Sequence, residues 1–207
     1  MIRASTGLEI GFGDLLTHTI DAGGATAWRP ATLTQLADHI ERIHHSYLKR
    51  ELPRIEALAD ALADREGRDH PQLIELAGLF KQFRVELEWH LRKEEMVLFP
   101  LLRKLDRMKH PHRFHREWIK NPIKVLVHEH EDAGASLARM RSLIERTGAP
   151  LGCGETYRAL SDALAVLEQD MRMHVHKENN ILFPRAIRFE ARRTRAIRRH
   201  REPKVSA

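Results

Sequence analysis

A chain of 207 residues, 42% hydrophobic and 31% charged, can close one sizeable core and falls within the range of a single domain. Its single cysteine, Cys153, excludes an internal disulfide and any thiolate-built zinc or iron–sulfur site within one chain, so a metal would have to be held by histidine and carboxylate. The formal charge of +6 is modest and gathers near the C-terminus, in Arg192, Arg193, Arg195, Arg198, Arg199, Arg201 and Lys204, with no interleaved aromatic residue and no recognition motif. These residues read as a solvated basic tail, 192–207, rather than as a nucleic-acid or membrane contact.

Aromatic residues make up only 6% of the chain, and no stretch alternates apolar and polar residues long enough for a sheet, so the expected class is all-α. No run of eighteen apolar residues occurs, and residues 1–30 lack a charged-then-apolar export pattern; the cytoplasm is the simplest expectation. Residues 1–31, with Gly7, Gly11, Gly13, Gly23 and Gly24, read as an N-terminal arm without chemistry. A first helix is predicted over 32–64, capped by Thr32, carrying Leu33, Leu36, Ile40, Leu48, Ile55, Leu58 and Leu62 at helical spacing and bent at Pro53. Asp69-His70-Pro71 introduces a second helix to about Leu105, with Asp69 as its cap and Pro100 kinking or shortening its end. After a polar connection over 106–120, Asn121-Pro122 reads as the cap and first turn of a third helix ending near Thr147. Gly148, Pro150, Gly152 and Gly154 then make a turn into a fourth helix over about 155–191. Four helices with short loops pack most simply as an up-down-up-down bundle over residues 32–191.

The second and fourth helices carry nearly the same string. His90-Leu91-Arg92-Lys93-Glu94-Glu95-Met96-Val97-Leu98-Phe99-Pro100 returns, 84 residues later, as His174-Val175-His176-Lys177-Glu178-Asn179-Asn180-Ile181-Leu182-Phe183-Pro184. In each copy a histidine precedes a glutamate by four positions, which puts both on one face of a helix, one turn apart. Upstream, His45 precedes His90 by 45 residues and His130 precedes His174 by 44, so each half reads as histidine, long gap, His-x-x-x-Glu. The repeat register favours His45 over its neighbour His44, and His130 over His128, which lies about 200° around the helix. His44 is kept as an alternative.

Four histidines and two glutamates facing one bundle centre are costly to bury unless they coordinate something. Nitrogen and carboxylate ligands without thiolate suit non-haem iron or manganese, and two carboxylates among four histidines suit a metal pair bridged by Glu94 and Glu178. Zinc fits less well, because six ligands exceed one tetrahedral site. Glu86 and Asp170, each four residues before a ligand histidine, and Glu129 beside His130 are candidate partners for the outer imidazole N–H groups.

The residues resemble the hemerythrin-like proteins, and among them the repair-of-iron-centres family. The strings that carry the likeness span roughly 32–190: Asp38-His39-Ile40 with His45 and Leu52-Pro53, then 90–100, then Glu129-His130-Glu131-Asp132-Ala133-Gly134, then 174–184 with Arg185-Ala186. The resemblance implies two oxo- or hydroxo-bridged non-haem irons on His45, His90, Glu94, His130, His174 and Glu178, and draws attention to His70, where relatives carry a histidine. It also implies a protein that binds or reduces nitric oxide or dioxygen and acts in iron–sulfur cluster repair under nitrosative or oxidative stress, with iron–sulfur proteins or a reductase as partners. The alternative is a module that senses, carries or stores oxygen or iron without turnover. Many members of that family begin with a small domain bearing adjacent cysteines; here about thirty residues without cysteine stand in its place, so thiol-dependent iron transfer is not expected.

Overall fold

The computed structural model describes residues 31–108, 118–150 and 154–201, with side chains described as far as Arg192. The expected N-terminal arm, apart from Ala31, lies outside the described residues, as do most of the polar connection, Gly152 of the turn and the end of the basic tail. Among the described residues there is no strand.

Four helical arms form the structure. The first comprises Leu33–Ile40, a π turn at Glu41–His45 and Ser46–Glu66. Thr32 caps it as expected, accepting from the Gln35 N–H at 3.2 Å while the Gln35 side chain accepts from the Thr32 N–H at 2.8 Å. Pro53, where a bend is expected, lies inside the α-helix Ser46–Glu66, and the departure from α geometry in this arm falls at the π turn, where two histidines sit.

The second arm runs Pro71–Lys93, π turn Glu94–Leu98, Phe99–Arg107. Its cap position is held by His70 rather than Asp69, without a side-chain bond, and Pro71 opens the first turn, where no N–H is needed. Pro100, expected to kink or shorten the end of this arm, lies in the first turn of its last segment, and the helix runs on to Arg107. The π turn ahead of it directs the Phe99 N–H to the Glu94 carbonyl, and the α-helix restarts at Phe99, so the proline occupies a first-turn position of the new segment.

Lys120–Thr147 is the third arm. Its cap position falls at Ile119, two residues before the expected Asn121 cap, and it ends at Gly148, whose φ of 64° lies in the left-handed region that glycine tolerates. The fourth arm runs Gly154–His176, π turn Lys177–Leu182, Phe183–Arg201. It continues ten residues beyond the expected Ala191, so the start of the basic tail is helical backbone.

Side-chain pairs define the packing. His45 meets Glu95 while Glu56 meets Arg84, so the first two arms are antiparallel. The same crossing of numbers relates the second and third arms (His90 with Glu129, Glu75 with Arg139) and the third and fourth (His130 with Asn179, Arg141 with Glu168). It also relates the fourth and first (Lys177 with His39, Asp170 with His44), which closes an up-down-up-down ring.

The core is divided in two. One apolar cluster, around Leu52, Ile55, Phe80, Phe83, Met140 and Leu167, fills the end bearing the loops between arms one and two and between three and four. The other, around Leu36, Ile40, Phe99, Leu102, Leu182 and Phe183, fills the opposite end. Each fully buried Leu or Phe contributes roughly 1.5–3 kcal/mol. Between the clusters lies a polar layer. No helix among the described residues is long and apolar enough to cross a membrane.

Candidate metal centre

The polar layer holds His45, His90, Glu94, His130, His174 and Glu178, none more than 3% exposed. Two groups of ligand atoms emerge, each spanning no more than 4.8 Å: His45, His174, Glu94 and Glu178 form one, and His90, His130, Glu94 and Glu178 the other. Both glutamates belong to both groups, and their oxygens divide between them. Glu94 Oε2 lies 3.3 Å from His45 Nε2 while its Oε1 lies 3.5 Å from His90 Nε2. Glu178 Oε1 lies 3.1 Å from His174 Nε2 while its Oε2 lies 3.2 Å from His130 Nε2.

All four carboxylate oxygens are buried within ion-pair distance of imidazole nitrogens, yet none accepts a hydrogen bond. The donor atoms converge on points between them rather than on one another. First-row ions bound at about 2.1 Å hold neighbouring ligand atoms about 3.0 Å apart, close to the spacings seen here. Two buried carboxylates with no donor would cost several kcal/mol each if left uncompensated, so the residues fit a bound cation pair.

The outer nitrogens set the tautomers. His45 Nδ1 donates to Glu95 at 2.8 Å, and His90 Nδ1 donates to Glu129 at 2.9 Å. Each of these carboxylates is also held by a lysine, Lys49 on Glu95 and Lys93 on Glu129. His130 Nδ1 donates to Asn179 Oδ1 at 3.0 Å. In all three rings the Nε2 lone pair is thereby turned toward the carboxylates.

The outer partners differ from those expected. Glu86 is exposed and accepts from Gln82 rather than from His90. Glu129 is an outer partner, but of His90 rather than of its sequence neighbour His130. Asp170 bonds His44 at 2.8 Å rather than His174. The reason is common to all three: a ring reaching into the bundle turns its Nδ1 toward the adjacent helix, so the partner comes from across the groove and not from one turn back. Glu95 and Asn179 were missed, although they occupy the same place in the two copies of the repeat and could have been found there.

The π turns lie at the candidate ligands. Glu94 opens one, Glu178 stands second in another, and His44 and His45 close the third. The widened turn puts His45 in the polar layer while His44, buried as well, faces the fourth arm outside both groups. His70 lies at the start of the second arm, outside both groups, and His128 is exposed beside Glu131. Phe99 stacks on His45 and Phe183 on His130, with ring planes 22° and 3° apart, which gives the phenylalanine repeated after each glutamate the same place in both halves.

The electrostatics follow. Burial pulls His45 down, but the adjacent Glu94 carboxylate and the hydrogen bond to Glu95 outweigh it and lift the imidazole to about 9. His130 is likewise raised against its burial by Glu178, whereas burial prevails at His174 and lowers it. Hydrogen bonding from His45 and Lys49 holds Glu95 down at about 2 against its desolvation, and His90 and Lys93 do the same for Glu129.

A groove of about 540 Å³ between the second and third arms, lined by Phe83, Trp89, Lys93, Glu129 and Ala133, reaches His90 and His130 from the surface.

A family model described as the hemerythrin HHE cation binding domain matches residues 36–186. The chain is similar to the iron-sulfur cluster repair protein YtfE of Edwardsiella ictaluri (strain 93-146), 34% identical over 160 residues covering 77% of this chain and 68% of the relative. It is 30% identical to the protein of that name from Musicola paradisiaca (strain Ech703) over 169 residues, 79% of this chain and 70% of the relative. It is 29% identical to the iron-sulfur cluster repair protein DnrN of Neisseria gonorrhoeae over 162 residues, 78% of this chain and 96% of the relative.

Proposed function

The chain belongs to the hemerythrin HHE cation-binding family, and from that premise we propose that it is a cytoplasmic non-haem di-iron protein serving iron–sulfur cluster repair. The observation that carries this reading is the division of each buried carboxylate between two histidine pairs, one oxygen of Glu94 and of Glu178 toward each pair. His45 and His174 would hold one iron, His90 and His130 the other, with both glutamates bridging. The names of its relatives supply the repair role.

A bound iron pair supplies redox chemistry and a coordination position for a diatomic ligand such as nitric oxide or dioxygen. The chain's own residues do the rest. Glu95, Glu129 and Asn179 fix the Nδ1 tautomers, so each of those rings offers Nε2 inward without having to reorient. Phe99 and Phe183 pack flat against two of the ligand rings and keep bulk water from those faces. The groove beside His90 is wide enough for a diatomic molecule, and Lys93 and Glu129 line it. Candidate partners are therefore a diatomic ligand, a reductase that returns electrons, and a damaged iron–sulfur protein.

The test is reactivation of a nitric-oxide-damaged [4Fe–4S] enzyme by the iron-loaded protein, with the iron-free protein and an equal amount of free ferrous iron as controls. Faster recovery with the loaded protein supports repair. Equal recovery with free iron, together with release of intact nitric oxide or dioxygen on dilution, would replace it with a carrier or sensor.

A further inference from the structure

The two halves of the site are related by the sequence repeat, and the outer partners of their histidines differ at two pairs of positions, Glu95 against Asn179 and Glu129 against His44. Lys93 and Lys177 correspond, 84 residues apart, as do His90 and His174. The residue between them in space is Glu129 in one half and His44 in the other, 85 residues apart like His45 and His130. Glu129 is held by Lys93 and accepts from His90 Nδ1. His44 is held by Lys177, which donates to its Nε2 at 2.8 Å, but it has no oxygen to offer His174. Instead its ring lies flat on that of His174, centroids 5.4 Å and planes 7° apart, and its own Nδ1 donates to Asp170. His174 Nδ1, fully buried, has no hydrogen-bond partner at all.

We infer that the two ion positions are inequivalent, and that the one formed by His45 and His174 is the weaker because His44 replaces the carboxylate that would orient and polarise His174. This rests on the two-ion reading above. Each position has one histidine backed by a lysine-held carboxylate, His45 by Glu95 and His90 by Glu129. The second histidine is backed by Asn179 at one position and by nothing at the other. An outer partner fixes the ring and raises ligand basicity, and its loss typically costs about tenfold to a hundredfold in metal affinity. The His45 and His174 position therefore fills last and empties first. A protein that passes iron on has a use for such a position: one ion leaves while the other, held by His90 and His130, keeps the bundle closed. His44 is then a positioning residue whose effect on the ion runs through His174.

The experiment is anaerobic titration of the metal-free full chain with Co(II), followed by visible absorption, with helicity checked by circular dichroism. Wild type is expected to bind two ions in separate steps about tenfold or more apart; His174→Ala should abolish the weaker step and His90→Ala the tighter. In His44→Glu the new carboxylate meets Lys177 as Glu129 meets Lys93, and the second step should tighten about tenfold to a hundredfold. The converse Glu129→His should weaken the first step toward the second. Two steps of equal affinity in wild type, or a tighter step that survives His90→Ala and vanishes in His174→Ala, overturn the inference and leave the two-ion reading standing. Binding of one ion in total overturns that reading itself.

Discussion

His90 Nε2 and His130 Nε2 lie 3.0 Å apart, although the Nδ1 of each ring is already committed, to Glu129 and to Asn179. Both Nε2 atoms therefore present lone pairs to the same point. Two lone pairs at hydrogen-bond distance repel unless a cation stands between them, and the only alternative to a metal is a proton. The folded bundle assembles this arrangement from two different arms, so the affinity for the cation is available to the native state alone.

Metal removal should accordingly destabilise the bundle. Thermal unfolding of the loaded chain, with and without excess chelator, is the measurement. A fall of ten degrees or more on chelation is expected, because ligand binding at a thousandfold over its dissociation constant stabilises by about 4 kcal/mol. An unchanged midpoint counts against an interior site.

Glu94→Ala and Glu178→Ala should each lose at least one metal ion per chain. Each carboxylate places one oxygen toward each histidine pair, so removing it takes a ligand and a negative charge from both positions. Retention of two ions in either variant, by elemental analysis, would sink the bridging role.

The adjacent histidines of the first arm should behave differently. His45 belongs to a ligand group and His44 does not, so His45→Ala should lower the metal content by about one ion while His44→Ala keeps both. If His44→Ala strips metal and His45→Ala spares it, the first arm must be redrawn.

Without bound metal, stability should fall as pH rises from about 6.5 to 9. His45 is raised to about 9, so the stability its proton contributes is fully present below the unfolded value near 6.5 and is lost as pH climbs through the folded value. Glu94, Glu95 and Glu178 favour that proton. Denaturant unfolding across this window should show the decline in wild type and a smaller one in His45→Ala. Loading with metal should flatten it, since the ion replaces the proton, and equal slopes in all three would contradict the assignment.

Much of the site was legible because the repeat is a repeat in space. His90 and His174, Glu94 and Glu178, and His45 and His130 were reached from spacing alone, and each pair occupies matching places in the polar layer. The π turns were not legible, since one residue of added width at Glu41–His45 leaves the apolar periodicity on either side intact. Nor were the outer partners: Glu86 and Asp170 were sought one turn back on the same helix, while the bonds run between helices, from Glu95 to His45 and from Glu129 to His90. Packing decides those, and helical spacing within one arm does not report it. The caps at Asp69 and Asn121 failed for a smaller reason, because Pro71 and the turn at Ile119 set where each helix begins.

Iron content of the folded chain, measured beside its Mössbauer spectrum, tests the central claim most directly. Two ligand groups sharing Glu94 and Glu178 predict two irons per chain whose spins are coupled through their bridges. A single ion per chain, zinc in place of iron, or two magnetically independent irons would contradict it.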